Sequence, residues 1–141
     1  MSWLLDTCVI SELARPKPRA SVVAWIEGCA ENELFLSVIT MGELEKGIAR
    51  LPDSERRTRL EGWVRRELAD RFRDRLLAID ASVAARWGAL CGASEGRGRP
   101  LPVIDSLIAA TSLQHHLTVV TRNIEDLELC GARCFNPWLA K

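Results

Sequence analysis

Residues 3–14 read Trp3-Leu4-Leu5-Asp6-Thr7-Cys8-Val9-Ile10-Ser11-Glu12-Leu13-Ala14. Three apolar residues stop at a carboxylate, and the pattern then changes to helical spacing. Trp3 to Leu5 predicts a short buried strand. Val9 to Ala14 predicts a helix, which Arg15-Pro16-Lys17-Pro18 ends because proline cannot continue it. The same alternation runs outward along the chain. A helix over 21–30 is followed by a strand over 34–38. Thr40 and Glu43 have capping-box spacing and open a helix that breaks at Pro52. A long charged helix over 54–73 carries Leu60, Val64 and Leu68 on one stripe. A strand over 76–79 leads to a helix over 80–94, with Val83, Trp87 and Leu90 on one face. Gly96-Arg97-Gly98-Arg99-Pro100 is a loop. The most apolar helix spans 102–115, with Ile104, Leu107, Ile108 and Leu113 expected inside. Strands over 117–121 and 132–135 close the chain. Alternating strands and helices predict an α/β fold: a central parallel sheet of four to five strands flanked by helices on both faces.

The 141 residues carry no repeat and no linker, so residues 1–141 read as a single domain. Nineteen Lys and Arg balance nineteen Asp and Glu. Zero net charge gives no pointer to non-specific nucleic-acid binding, but it leaves room for acid and base to be sorted onto separate surfaces. The five cysteines form no CxxC pair and read as reduced thiols, mostly buried. His115, His116, Cys130 and Cys134 match no standard zinc spacing. There is no signal-peptide pattern and no apolar run long enough for a membrane span, so the expected location is cytoplasmic, away from membranes.

Four polar positions share one topological address. Asp6 follows a strand directly, and Asn123 comes just after the strand that ends near Thr121. Glu43 and Asp105 are expected in the first turns of helices. In an open α/β sheet, strand ends and the helix starts after them lie along one edge, where ligands bind. Each position has a structural alternative. Asp6 can cap the next helix, Glu43 can pair with Thr40, Asp105 can favour a helix dipole, and Asn123 can serve a turn. Asp105 fits its alternative least well, because Val103-Ile104-Asp105-Ser106-Leu107-Ile108 is nearly apolar and a carboxylate there is costly unless paired or metal-bound. Three converging carboxylates repel one another, and a divalent cation removes that cost. Hard oxygen donors select Mg²⁺ or Mn²⁺, whose chemistry suits water activation against a phosphodiester.

These residues resemble the PIN-domain family. Asp6-Thr7-Cys8-Val9-Ile10-Ser11-Glu12 is similar to its opening D-T-N-V-I-S-E. Residues 37–44 with Gly47 resemble S-x-x-T-x-x-E-L-x-x-G. Asp105 to Thr111 resembles D-x-x-I-A-A, and Leu117 to Asn123 resembles L-x-x-x-T-R-[N/D]. The ending Phe135-Asn136-Pro137-Trp138 is similar to the FitB-like branch of the VapC toxins. The resemblance implies a Mg²⁺- or Mn²⁺-dependent endoribonuclease, a homodimer, an RNA substrate and a cognate antitoxin. By position it implies Asp6, Glu43 and Asp105 as metal ligands and Asn123 as the fourth catalytic residue. Thr7, Thr121 and Asp126 are additional or supporting members of that site. Cys8 stands where the family commonly has Asn, and its neighbouring carboxylate disfavours a thiolate.

Arg15, Lys17, Arg97, Arg99 and Arg122 are candidates for phosphate contact. Arg56, Arg57, Arg59, Arg65 and Arg66 read instead as a solvated helix face laced with Glu61, Glu67 and Asp70. Trp25, Trp63 and Trp87 read as core or interface residues, and Trp138 as packing the C-terminal end onto the domain. Two other classes use the same residues. One is a catalytically weak or inactive module that binds RNA or protein. The other is a phosphatase or flap-type DNA nuclease.

Overall fold

The computed structural model describes residues 1–140. Five strands, β1 (Trp3–Leu5), β2 (Leu34–Ser37), β3 (Leu76–Leu77), β4 (Thr118–Val120) and β5 (Cys134–Phe135), form one sheet in the order β3-β2-β1-β4-β5. Every pairing is parallel. β1 is central, with Leu4 opposite Phe35 on one side and Val119 on the other. The chain therefore builds outward from β1 through β2 to β3, then returns to the far side of β1 for β4 and β5. The strand order reverses between β1 and β4, and this is where an open parallel sheet leaves a crevice.

Helices cover the sheet: α1 (Thr7–Leu13), α2 (Ala20–Gly28), α3 (Val38–Ala49), α4 (Glu55–Gly62), α5 (Ala69–Arg71), α6 (Ala81–Gly96), α7 (Val103–Gln114) and α8 (Ile124–Leu129). Two clusters of buried apolar residues make the core. One gathers Leu5, Val9, Ile10, Val22, Leu36, Phe72 and Trp138, among others. The other gathers Leu4, Ile108, Ala109, Val119 and Leu127 with their neighbours. Leu4 and Leu5 are adjacent yet belong to different clusters, because successive strand side chains point to opposite faces. That is the signature of a strand covered on both sides. No helix among the described residues is long and apolar enough to cross a membrane.

Several boundaries differ from the sequence reading. β3 stops at Leu77 rather than Ile79, β4 runs from Thr118 to Val120, and β5 is confined to Cys134–Phe135. The long charged helix starts after Ser54, whose hydroxyl accepts the Arg57 N–H at 3.2 Å, but it ends at Arg71 and widens to π geometry over Trp63–Leu68. Val64 and Leu68 on its stripe are buried, and its arginines pair outward, Arg57 with Glu61 at 3.0 Å and Arg65 with Glu45 at 2.9 Å. α8 has no counterpart in the sequence reading. Its six residues carry one fully buried side chain, Leu127, which is too little periodicity to recognise.

Candidate active site

Asp6 sits where β1 ends, and its backbone N–H still donates to Val120 O at 2.9 Å, so the sheet itself fixes its position. Its two carboxylate oxygens do different things. Oδ1 accepts the Thr7 N–H at 2.9 Å and caps α1. Oδ2 accepts the Thr121 hydroxyl at 2.8 Å, across the gap between β1 and β4. The capping reading of Asp6 therefore holds, and it leaves the second oxygen turned towards β4. Thr121 is fully buried and also accepts the Asn123 N–H at 2.9 Å, so one hydroxyl aligns Asp6 with the segment that carries Asn123.

Glu43 corrects the capping-box reading. The N-cap of α3 is Ser37, whose hydroxyl accepts the Ile39 N–H at 3.0 Å, and the helix begins at Val38. Thr40 is buried inside the helix, and Glu43 lies beyond its first turn. The cap comes three residues earlier because β2 ends at Ser37 and leaves its hydroxyl free to bond forward. Glu43 instead takes the Thr7 hydroxyl on Oε1 at 2.5 Å, and Thr7 Oγ1 also lies 3.3 Å from Thr40 Oγ1. Thr7 thus ties the acid of α3 to the turn that follows β1.

Asp105 lies in the first turn of α7, as its sequence position predicts. Ile104 does not: it is 38% exposed and forms part of the cleft rim rather than the core, while Leu107 and Leu113 are only half-buried. Asp6, Thr7, Cys8, Glu43, Ile104, Asp105, Arg122 and Asn123 line one open cleft of about 430 Å³. Arg15, Lys17, Arg97 and Arg99 are exposed but are not in its wall. Thr121 is buried beside Asp6, and Asp126 of α8 is near enough to act on Asp105 by charge.

The cleft is electrostatically unbalanced. Burial pushes the Asp6 carboxyl up, against its hydrogen bonds from Thr121 and Thr7, and Glu43 adds to the rise. Asp105 is also raised, first by burial and then by the charges of Asp6, Asp126 and Glu43. Among the described residues, no Lys, Arg or His forms an ion pair with Asp6, Glu43 or Asp105. Cys8 receives the Arg122 N–H on Sγ at 3.4 Å and lies 3.8 Å from Asp6 Oδ2. Burial and Asp6 both push its thiol up, so it is a packed neutral group beside the carboxylates.

The carboxylate oxygens of this cleft, beside a thiol that stays neutral, suit a hard divalent cation. As the side chains stand, no three His, Cys, Asp or Glu among the described residues are close enough to hold one ion together. The fit is therefore to an ion bound by one or two carboxylates with water completing its shell, which is how Mg²⁺ is commonly held.

The parallel sheet, the reversal of strand order at β1 and β4, and the acids along that edge define a class. The chain belongs to the PIN-domain family, which it matches over residues 3–128. Its relatives are more particular. It is 36% identical to Toxin FitB of Neisseria gonorrhoeae, over 96% of this chain and 97% of that protein. It is 37% identical to plasmid stability protein StbB of Pseudomonas syringae pv. tomato, over 97% and 99%. It is 34% identical to a VapC ribonuclease of Sinorhizobium fredii, over 96% of both. The structure of FitAB bound to a DNA fragment superposes with a TM-score of 0.89 at 34% identity, covering 99% of this chain and 97% of that one.

Trp138 packs the C-terminal end onto the domain as its sequence reading expects, whereas the burial of Glu12 escaped that reading. Glu12 is buried at 6% exposure between α1 and α2, where Oε2 accepts the Arg19 N–H at 3.0 Å and Oε1 lies 3.4 Å from Arg15. Its position in a helical run of mixed polarity carries no signal of burial.

Proposed function

We propose that the chain is a metal-dependent endoribonuclease and the toxin of a toxin–antitoxin pair. The observation that carries this reading is the cleft at the strand-order reversal, which three carboxylates from three separate elements line without an ion-pair partner among the described residues. Full-length similarity to a toxin and to a VapC ribonuclease supports it. Asp6, Glu43 and Asp105 would hold Mg²⁺ or Mn²⁺, one or two of them directly and the rest through water of its shell. A bound ion would supply a Lewis acid that lowers the pKa of water and offsets charge on an RNA phosphodiester. Thr121 orients Asp6, and Thr7 orients Glu43. Asn123 contacts water or substrate as a neutral amide, with Asp126 supplying the further negative charge. The partners are RNA, a second copy of the chain and a cognate antitoxin, which covers the cleft. The cytoplasm is where all of them meet.

Replacing Asp6 or Asp105 by Asn is expected to lower RNA cleavage at least a hundredfold while the circular dichroism spectrum stays unchanged. Growth arrest on expression should disappear in the same variants and be relieved in the wild type by a small DNA-binding protein encoded beside it. Wild-type cleavage rates in both variants would remove the proposed mechanism.

A second reading is a module that binds without turnover. The amide at Asn123 and the absence of three converged ligands among the described residues favour it. Calorimetric titration separates the two. No heat of binding at millimolar Mn²⁺ favours the module, and binding with a proton release favours the nuclease.

A further inference from the structure

Arg122 stands at the mouth of an acidic cleft and pairs with none of its carboxylates. It lines the cleft with Asp6, Glu43 and Asp105. No ion pair joins it to any described acid. Its guanidinium carbon instead lies 5.5 Å from the centre of the Trp138 ring. That distance is within the range in which a cation is attracted to an aromatic face.

The ring is itself firmly placed. Trp138 is 8% exposed, and its 3₁₀ turn (Pro137–Leu139) follows β5. Asn136 Oδ1 accepts the Trp138 N–H at 2.9 Å, and the Trp138 carbonyl lies 3.5 Å from the Ser21 hydroxyl on α2. Its indole also borders the Glu12 carboxylate. That carboxylate is held below its usual range first by the Arg19 N–H, then by the charge of Arg15, with the indole adding to the effect. The Arg122 backbone is pinned separately, through its N–H to Cys8 Sγ. Both ends of the arginine are therefore held, and neither is held by a cleft carboxylate.

We propose that Trp138 is a positioning residue: its ring holds the Arg122 guanidinium at the cleft mouth, where it meets a backbone phosphate of the RNA. The inference rests on the nuclease reading for its ligand and on the geometry alone for the stacking. Two physical consequences follow. The stack keeps Arg122 from collapsing onto Asp6, Glu43 or Asp105, where its charge would neutralise the cleft. It also leaves the guanidinium's donor edge open, since a π face engages the plane of the group and not its N–H fork. A flexible arginine at the same place would lose rotamer freedom on meeting a phosphate, and the stacked one has lost much of it already.

The test uses the full chain and a short, hydrolysis-resistant phosphorothioate oligoribonucleotide, with binding measured in EDTA. Arg122→Ala is expected to weaken binding about tenfold, the effect of one charge-assisted contact. Trp138→Met, which keeps an apolar filler but no π face, is expected to weaken it about two- to fivefold. Trp138→Phe should restore most of that loss. In the Arg122→Ala background, Trp138→Met should cost nothing further. An equal loss in both backgrounds overturns the positioning role, because a purely structural tryptophan would matter whether or not Arg122 were present. Proton NMR of the wild type reads the stack independently: the Arg122 Hδ resonances should be shifted upfield by the ring and return to ordinary values in Trp138→Met. Unshifted resonances in a folded wild type overturn the proposal without reference to RNA. Absence of RNA binding by the wild type in saturating Mn²⁺ as well as in EDTA, with the ring-current shift present, removes the assigned ligand together with the nuclease reading.

Discussion

Asp105 occupies half-buried ground between Asp6, Glu43 and Asp126, and ionising it there is harder than in water. Its carboxyl is raised from 3.8, so the folded protein holds that proton more tightly than the unfolded chain does. The associated stability is fully present below pH ~3.8 and is lost as pH rises through the raised value. At neutral pH the metal-free protein therefore carries an unrelieved penalty. Asp105→Asn removes the charge and keeps the shape. In EDTA at pH 7 the variant should melt slightly higher than wild type, by roughly 1–3 °C, since the group is partly exposed and screened. Mn²⁺ should then separate the two proteins in the other direction. Ligand at tenfold above its Kd contributes about 1.4 kcal/mol, or about 3–6 °C, to the wild type and much less to the variant. Differential scanning fluorimetry reads both. A variant that melts lower in EDTA would show that Asp105 supports the fold rather than straining it. This position was legible in the sequence because a lone acid in an apolar helix start needs a reason. Glu43 was legible as an address but not as a contact. Its capping-box spacing is genuine arithmetic, yet Ser37 takes the cap, and only the fold shows Thr7 reaching across to hold the acid.

At the level of elements, the strand ends and helix starts place the site, and three of the strand-to-helix junctions are closed by a polar side chain that the sequence displays. Asp6 caps α1, Ser37 caps α3 and Asp80 caps α6 with an oxygen accepting the Val83 N–H at 2.9 Å. The long helix α6 was readable from its cap and α7 from its apolar length, and the two-residue strands β3 and β5 were readable only in outline. Short strands are defined by neighbours far away in sequence, and no local pattern sets their ends. The turn between α1 and α2 is closed from the inside, by a carboxylate that looks like an ordinary surface glutamate in the sequence. Glu12 accepts from Arg19 N–H and faces Arg15, and its carboxyl is held below its usual 4.5 by the first of these above all. The sign is opposite to that of Asp105: the stability it contributes is present above pH ~4.5 and is lost as pH falls through the lowered value. Glu12→Gln should cost about 1–2 kcal/mol at pH 7, as expected for a buried charge-assisted bond replaced by a neutral one. The gap from wild type should close as denaturation curves are repeated from pH 5 down towards pH 3. A gap independent of pH would assign the loss to packing instead of charge.

Over the whole molecule, a net charge of zero conceals sorting. Nineteen acids and nineteen bases are present, but the crevice between β1 and β4 collects carboxylates, while Arg122 stands at its edge. Such a surface treats a phosphate in two opposite ways. Without a divalent ion, the cleft repels the anion that Arg122 attracts. With one, the same carboxylates become the means of drawing the phosphate in. Neutralising a single acid must therefore change sign with the metal. In EDTA, Asp6→Asn should bind a hydrolysis-resistant phosphorothioate oligoribonucleotide about three- to tenfold more tightly than wild type, the scale of one screened charge a few ångströms away. In saturating Mn²⁺ the order should invert if the proposed site holds, because the variant would lack a donor to the ion. Both differences should shrink as salt is raised from about 0.05 to 0.3 M, as the Debye length contracts towards the width of the cleft. Fluorescence anisotropy under the two conditions decides the matter. Wild type binding more tightly in EDTA as well as in Mn²⁺ would mean that Asp6 does not face the phosphate, and the RNA would have to run elsewhere on the surface.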